Sequence, residues 1–122
     1  MRFSSDLLAA IHKDKILGIR AGDNQHKIIA VWSVVVDNRV FIRSWSRTPN
    51  GWFDTFVAEP HGVMAIGGRE MKVRAIRTRS ERLKALVDDA YAAKYHTPAS
   101  MKYVKDLQRK SSRDATIELV PA

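Results

Sequence analysis

The chain has 122 residues, enough for one domain, taken here as residues 1–122, and too few for two ordinary ones. Hydrophobic residues make up 45%, which excludes a disordered chain, and the lack of cysteine excludes disulfides, thiolate metal sites and a cysteine nucleophile. A net charge of +8 points to anionic partners: nucleic acid, an anionic membrane or a phosphorylated small molecule.

Residues 1 to 13 lack the apolar core of a secretory signal. The longest apolar run, about ten residues, falls short of the roughly 20 that a membrane helix needs. The expectation is a soluble cytoplasmic protein with no membrane association.

Residues 5 to 13 suit a short helix, with Ser5 as cap, Asp6 in the first turn and Leu7, Leu8 and Ile11 on one apolar face. Lys15 to Ala21 reads as a strand, and Gly22-Asp23-Asn24 as a turn. Residues 27 to 45 then read as two long antiparallel strands joined at Asp37-Asn38, residue types that tolerate the positive φ of a two-residue hairpin turn. The first of these strands is apolar on both faces, from Ile28 through Val36, so it is expected to be covered on both sides. In the second, Val40, Ile42 and Ser44 share one face while Arg39, Phe41, Arg43 and Trp45 share the other. The hairpin ends in Arg43-Ser44-Trp45-Ser46-Arg47, a mixture of cations, hydroxyls and an indole.

Thr48-Pro49-Asn50-Gly51 breaks the sheet. Asn50 would cap a short helix that groups Trp52, Phe53, Phe56 and Val57 on one side and stops at Pro60. Gly62 to Ile66 and Arg69 to Arg77 form a second hairpin about Gly67-Gly68. Thr78-Arg79-Ser80-Glu81 fits a capping box ahead of a helix with Leu83, Leu86, Val87, Ala90, Tyr91 and Lys94 along one stripe. Thr97 and Pro98 open another helix, running to about Arg109 with Met101, Val104 and Leu107 inward. Ala115 to Val120 closes the chain as a strand. Six antiparallel strands with helices gathered at one side favour an α+β or barrel fold over a βαβ sheet.

Several stretches resemble a family of small bacterial proteins of unknown function. They are Ile19-Arg20-Ala21-Gly22, His26, Val31-Trp32, Phe41-Ile42-Arg43-Ser44, Gly51-Trp52-Phe53 and Ala90-Tyr91-Ala92-Ala93-Lys94-Tyr95. That family is similar to the flavin-binding split barrels, the group of pyridoxamine-phosphate oxidases and deazaflavin-dependent nitroreductases. The resemblance implies a six-stranded antiparallel split β-barrel with flanking helices, assembled as a homodimer. It implies flavin mononucleotide or a deazaflavin lying across the barrel near the dimer interface, its phosphate at strand ends and at the start of the short helix. Arg43 and Ser44 fall where phosphate contacts are expected, and Trp52 stands close to where the oxidases carry a Ser-x-Lys pattern that this chain lacks before the short helix.

The residues support part of this on their own chemistry. A guanidinium at Arg43 and the hydroxyl of Ser44 would hold a phosphate, extended by Arg47 and the free amides of the short helix. The plainer reading of Arg43 is a surface cation. A planar ring can stack on an indole, and Trp45 is the best placed, with Trp32 and Trp52 more in character as core residues. His26 would donate to a flavin ring or shuttle a proton; otherwise it is a solvated surface residue. Tyr91, Lys94 and Tyr95 lie on the long helix, Lys94 with its stem over the core. No histidine spacing suggests a metal site, and no catalytic residue is assigned.

The basic run from Arg69 to Lys84 carries no interleaved aromatics, so nucleic acid is not expected and a solvated flank is. Two functions follow. One is a flavin- or deazaflavin-binding oxidoreductase of unknown substrate. The other is a non-enzymatic basic module that takes an anionic ligand or nucleic acid on the same barrel. A dimer that has no cofactor at all is the remaining option.

Overall fold

The computed structural model describes residues 2–22, 27–45 and 51–122. The elements in chain order are α1 (Ser5–Lys13), β1 (Leu17–Ala21), β2 (Ile29–Val31), β3 (Ser33–Val36), β4 (Arg39–Arg43), α2 (Trp52–Ala58), β5 (His61–Ile66), β6 (Arg69–Arg77), α3 (Glu81–Lys94), α4 (Pro98–Leu107), α5 (Lys110–Arg113) and β7 (Thr116–Pro121). All strands join one antiparallel sheet in the order β2-β1-β5-β6-β7-β4-β3. The two ends of that order, β2 and β3, are consecutive in the chain. The sheet therefore curls into a nearly closed barrel with helices around it, an α+β fold.

Among the described residues seven strands stand where six are expected, because residues 28 to 36 do not run as one strand. β2 pairs with β1, from Leu17↔Val31 to Ile19↔Ile29, and β3 pairs with β4, from Ser33↔Ile42 to Val36↔Arg39. Trp32 belongs to neither ladder. A stave shared between two walls has to turn a corner, and a bend in the strand is how sheets do so. The bend takes backbone groups out of the ladder, and buried backbone groups need partners.

The end of helix α3 and its C-cap residue Tyr95 supply them. The Tyr91 hydroxyl donates to the Trp32 carbonyl at 2.9 Å. The Lys94 ammonium donates to the Ser33 carbonyl at 2.8 Å and to the Ile11 carbonyl at 2.9 Å. The Tyr95 hydroxyl accepts from the Ser33 amide at 3.1 Å and donates to the Lys15 carbonyl at 2.7 Å. The Trp32 ring lies flat on Tyr95, with centroids 4.1 Å apart and planes 4° from parallel. Lys94 therefore does more than lay its stem over apolar neighbours.

Two apolar clusters share the wall formed by β3 and β4. Inside the barrel, Val40 and Ile42 meet Leu17, Ile19, Met64, Val73, Ile117 and Leu119, closed off by Leu8 and Ile11 of α1 and by Phe53 and Phe56 of α2. Outside, Val34 and Phe41 lie under Leu83, Val87 and Tyr91 of α3 and Val104 and Leu107 of α4. Coverage on both sides thus holds for β3. It fails for the first half of the expected strand: Ile28, Ile29 and Ala30 are exposed, since the helices seal β3 and β4 and stop short of β2.

Local chemistry explains the remaining boundaries. Asp37 and Asn38 both have positive φ, 54° and 60°, as a tight hairpin turn demands. Ser4, one residue before the expected Ser5, caps α1 by accepting from the Leu7 amide. Ser80 rather than Thr78 caps α3, accepting from the Leu83 amide, because the Thr78 amide is already used on the Thr116 carbonyl at the end of the β6–β7 ladder. Thr97 caps α4 with Pro98 at its first turn, as expected. That helix ends at Leu107, and α5 follows where no element was expected. On α2, Phe53 and Phe56 are buried while Val57 is exposed. Asn50 lies outside the described residues, and Gly51 takes the cap position.

The bend generates two predictions. Tyr95→Phe strands the Ser33 amide and the Lys15 carbonyl, so equilibrium denaturation should show a loss of about 1–3 kcal/mol. The second concerns pH. Burial pushes the Lys94 ammonium down to about 8 from its ordinary 10.5, with Asp14 opposing and Lys15 adding to the shift. Burial pushes the Tyr95 hydroxyl up to about 12, and that of Tyr91 up as well. Between those two lysine values the unfolded chain holds a proton that folded Lys94 has lost, so stability rises with pH. Above the ordinary tyrosine value of 10.0 the unfolded tyrosines lose protons that the folded ones keep, so stability falls. Denaturant melts across alkaline pH should peak at about pH 10, and Lys94→Met should remove the rise on the lower side.

Candidate functional site

The bend that closes the barrel also opens it. Continued past Ser33↔Ile42, the β3–β4 register would set Trp32 opposite Arg43, Val31 opposite Ser44 and Ala30 opposite Trp45. Instead β2 turns away to pair with β1, and the two edges part. A cleft of about 410 Å³ fills the gap. Ile29, Ala30, Val31 and Trp32 form one wall, and Arg43, Ser44 and Trp45 form the other. Trp52, at the start of α2, and Tyr103 and Leu107, from α4, complete it. This volume is within the range of small-molecule sites, roughly 300–1,000 Å³.

Arg43 is neither a surface cation nor a free one. It is 3% exposed, and four of the five donors of its guanidinium are engaged with the protein. Nε donates to the Thr116 hydroxyl at 2.8 Å, Nη1 to the Asp88 carboxylate and to the Leu107 carbonyl at 3.0 Å, and Nη2 to the Lys84 carbonyl at 2.8 Å. Asp88 also takes Arg113 at 3.0 Å. Nearby, the Asp114 carboxyl is held below its usual range by hydrogen bonds from Lys110 and Lys84. The alternation of β4 explains the placement. Val40 and Ile42 face the barrel interior, so Phe41 and Arg43 face out under α3 and α4, where a charge has to be paired.

What remains open to a ligand is aromatic. Trp45 is 53% exposed and Tyr103 is 38% exposed. Tyr103 stands edge-on to both Trp45 and Trp32, at 6.0 Å in each case. The Trp45 indole N–H donates to Asp106 at 3.0 Å, which orients the ring. Across the cleft Trp52 packs edge-on against Phe53 and Phe56, so it is half core and half wall.

Of the six residues singled out from sequence, Arg43, Ser44, Trp45 and Trp52 meet at this cleft. His26 and Arg47 lie outside the described residues. The contribution of α4 was missed. Tyr103 sits one place from the Val104 of the apolar stripe and reads as surface, and nothing in its own spacing tells that α4 leans over the end of β4. Trp32, expected in the core, serves both the bend and the cleft. Among the described residues no group of three His, Asp or Glu side chains is set to hold a metal, and no helix is long and apolar enough to cross a membrane.

The family model described as "Uncharacterized protein conserved in bacteria" (DUF2255) matches residues 7–119. A search of curated proteins finds no match. Among solved structures, the crystal structure of the conserved hypothetical protein Rv2991 from Mycobacterium tuberculosis superposes with a TM-score of 0.62 at 10% identity, over 100% of this chain and 81% of that one. At that identity the likeness concerns the fold alone. With nearly its whole length matched by the family model, the chain belongs to the bacterial family DUF2255.

Proposed function

We propose that the protein binds a planar heteroaromatic cofactor of the flavin or deazaflavin class in the split between β2 and β4, and acts as an oxidoreductase. The single observation that carries this reading is the cleft of about 410 Å³ walled by Trp32, Trp45, Trp52 and Tyr103. Stacked and edge-on aromatic contacts suit a flat tricyclic ring. Ser44 and Tyr103 bring hydroxyls to the lining, and no carboxylate or imidazole among the described residues lines it. The electron-transfer chemistry would come from the bound ring, and the protein would hold and orient it.

The residues fit the ring better than a phosphate. Arg43, the sequence's first choice for phosphate, is committed to Asp88, Thr116 and two carbonyls. Any phosphate of the cofactor therefore adds little at this residue. The same reading takes the protein as a cytoplasmic homodimer. Its support is the apolar surface left exposed at Ile28 and Ile29, contiguous with the wall of the cleft.

Titration with flavin mononucleotide, riboflavin and a deazaflavin, followed by ring absorbance and fluorescence, tests the proposal. Saturable quenching is expected, with riboflavin and flavin mononucleotide alike within a few-fold, and with Trp45→Ala weakening binding about tenfold. No binding of any of the three at high micromolar concentration removes the reading. Arg43→Met should act on stability rather than on ring binding. The expected loss is roughly 3 kcal/mol in denaturant melts, at the lower end for a broken buried pair because Asp88 keeps Arg113.

A further inference from the structure

The outer face of β1, β5 and β6 carries a second concavity that shares no lining residue with the cleft. Register puts it together. Arg20 is opposite Val63, and Val63 is opposite Lys72, so the two cations flank one valine across three strands. One place along the same face, His61 is opposite Arg74. A cavity of about 330 Å³ lies among Arg20, His61, Lys72, Gly22 and Gly62, with Ala122 at its rim.

Its side chains are unbalanced in charge. No Asp or Glu side chain lines it among the described residues. Glu59 approaches from α2 at Gly22, where its carboxylate lies 2.8 Å from the point a Cβ would occupy. Even so, no ion pair joins it, or any other described carboxylate, to Arg20, His61 or Lys72. The Nε of Arg20 is buried and has no hydrogen-bond partner. A buried guanidinium N–H without an acceptor is rare in a folded protein, and an anion in the cavity brings that acceptor once the guanidinium turns Nε toward it. Val63, with no polar side-chain atom, leaves the space between the two cations to whatever binds there.

We propose that this cavity is a binding site for a phosphate group, inorganic or carried as a monoester. Arg20 supplies the fork that grips two oxygens, Lys72 a point charge from the other side, and His61 a ring nitrogen at the edge. A dianion matches two cations better than a carboxylate does. The site stands whether or not a flavin binds in the cleft.

Calorimetric titration of the whole chain with inorganic phosphate, glycerol phosphate and acetate, in chloride buffer, tests it. Saturable phosphate binding is expected, with acetate weaker. Lys72→Met should raise the phosphate Kd about tenfold. The exposed Arg82→Gln, on α3, should leave it unchanged. Arg20→Lys keeps the charge and loses the fork, so it should fall between them, with its folding checked by its thermal melt. Tighter glycerol phosphate than phosphate identifies an ester ligand, and equal affinity identifies free phosphate. Heats that never saturate, or a Kd equal in Lys72→Met, Arg82→Gln and the unaltered protein, would overturn the proposal.

Discussion

The structure depends on a set of hydrogen bonds that a β-sheet does not normally need. At Trp32 and Ser33 the backbone leaves one ladder before it enters the next. Two side chains at the end of α3, Tyr91 and Lys94, and that of its C-cap residue Tyr95 take up the carbonyls and the amide released there. Each unmade bond of this kind in a buried place costs about 1–3 kcal/mol, a large share of a small domain's net stability. Without those partners the corner would be too costly. That cost would work against the apolar burial inside the barrel, which favours closing it.

The cleft is the other face of that corner. A strand that bends toward β1 leaves the β4 edge without its neighbour, and α4 leans over the gap with Tyr103 and Leu107. Closure and opening come from one event, and Trp32 takes part in both: its carbonyl and its flat contact with Tyr95 hold the bend, while its ring makes a T-shaped contact with Tyr103 in the cleft wall. Arg43 belongs to the same arrangement. It lies beneath α3 and α4 and ties them to β4 and β7 through Asp88, the carbonyls of Lys84 and Leu107, and the Thr116 hydroxyl. A guanidinium so placed sets where the helices sit, and through them the shape of the cleft.

Most of the local architecture was legible in the sequence because its signals are local. Asp37-Asn38 marks a tight turn by what those side chains allow, and Thr97 with Pro98 marks a helix start by a hydroxyl and a missing donor. The α+β class and the gathering of Arg43, Ser44, Trp45 and Trp52 at one place also followed, since they lie at the end of a readable hairpin and the start of a readable helix. The break at Trp32 was not legible. Ile28 to Val36 is uniformly apolar, and what divides it is the reach of β1 to one half and of β4 to the other, which is tertiary information. The burial of Arg43 was hidden for the same reason. Its partners Asp88, Leu107 and Thr116 are distant in sequence, so strand alternation gave its face and not what covers that face. Thr78 misled because a capping-box pattern and a strand end compete for the same residue, and the β6–β7 ladder took it.

Amide hydrogen exchange at Ser33 measures the pinned corner most directly. Its N–H lies at a break in the sheet, yet it donates to a buried hydroxyl held by the Lys15 carbonyl. This amide is expected to exchange as slowly as those inside the β4–β7 ladder, opening only when the domain unfolds as a whole. Exchange as fast as that of an unpaired edge strand would mean that α3 does not hold the bend, and that barrel and cleft owe their shape to something else.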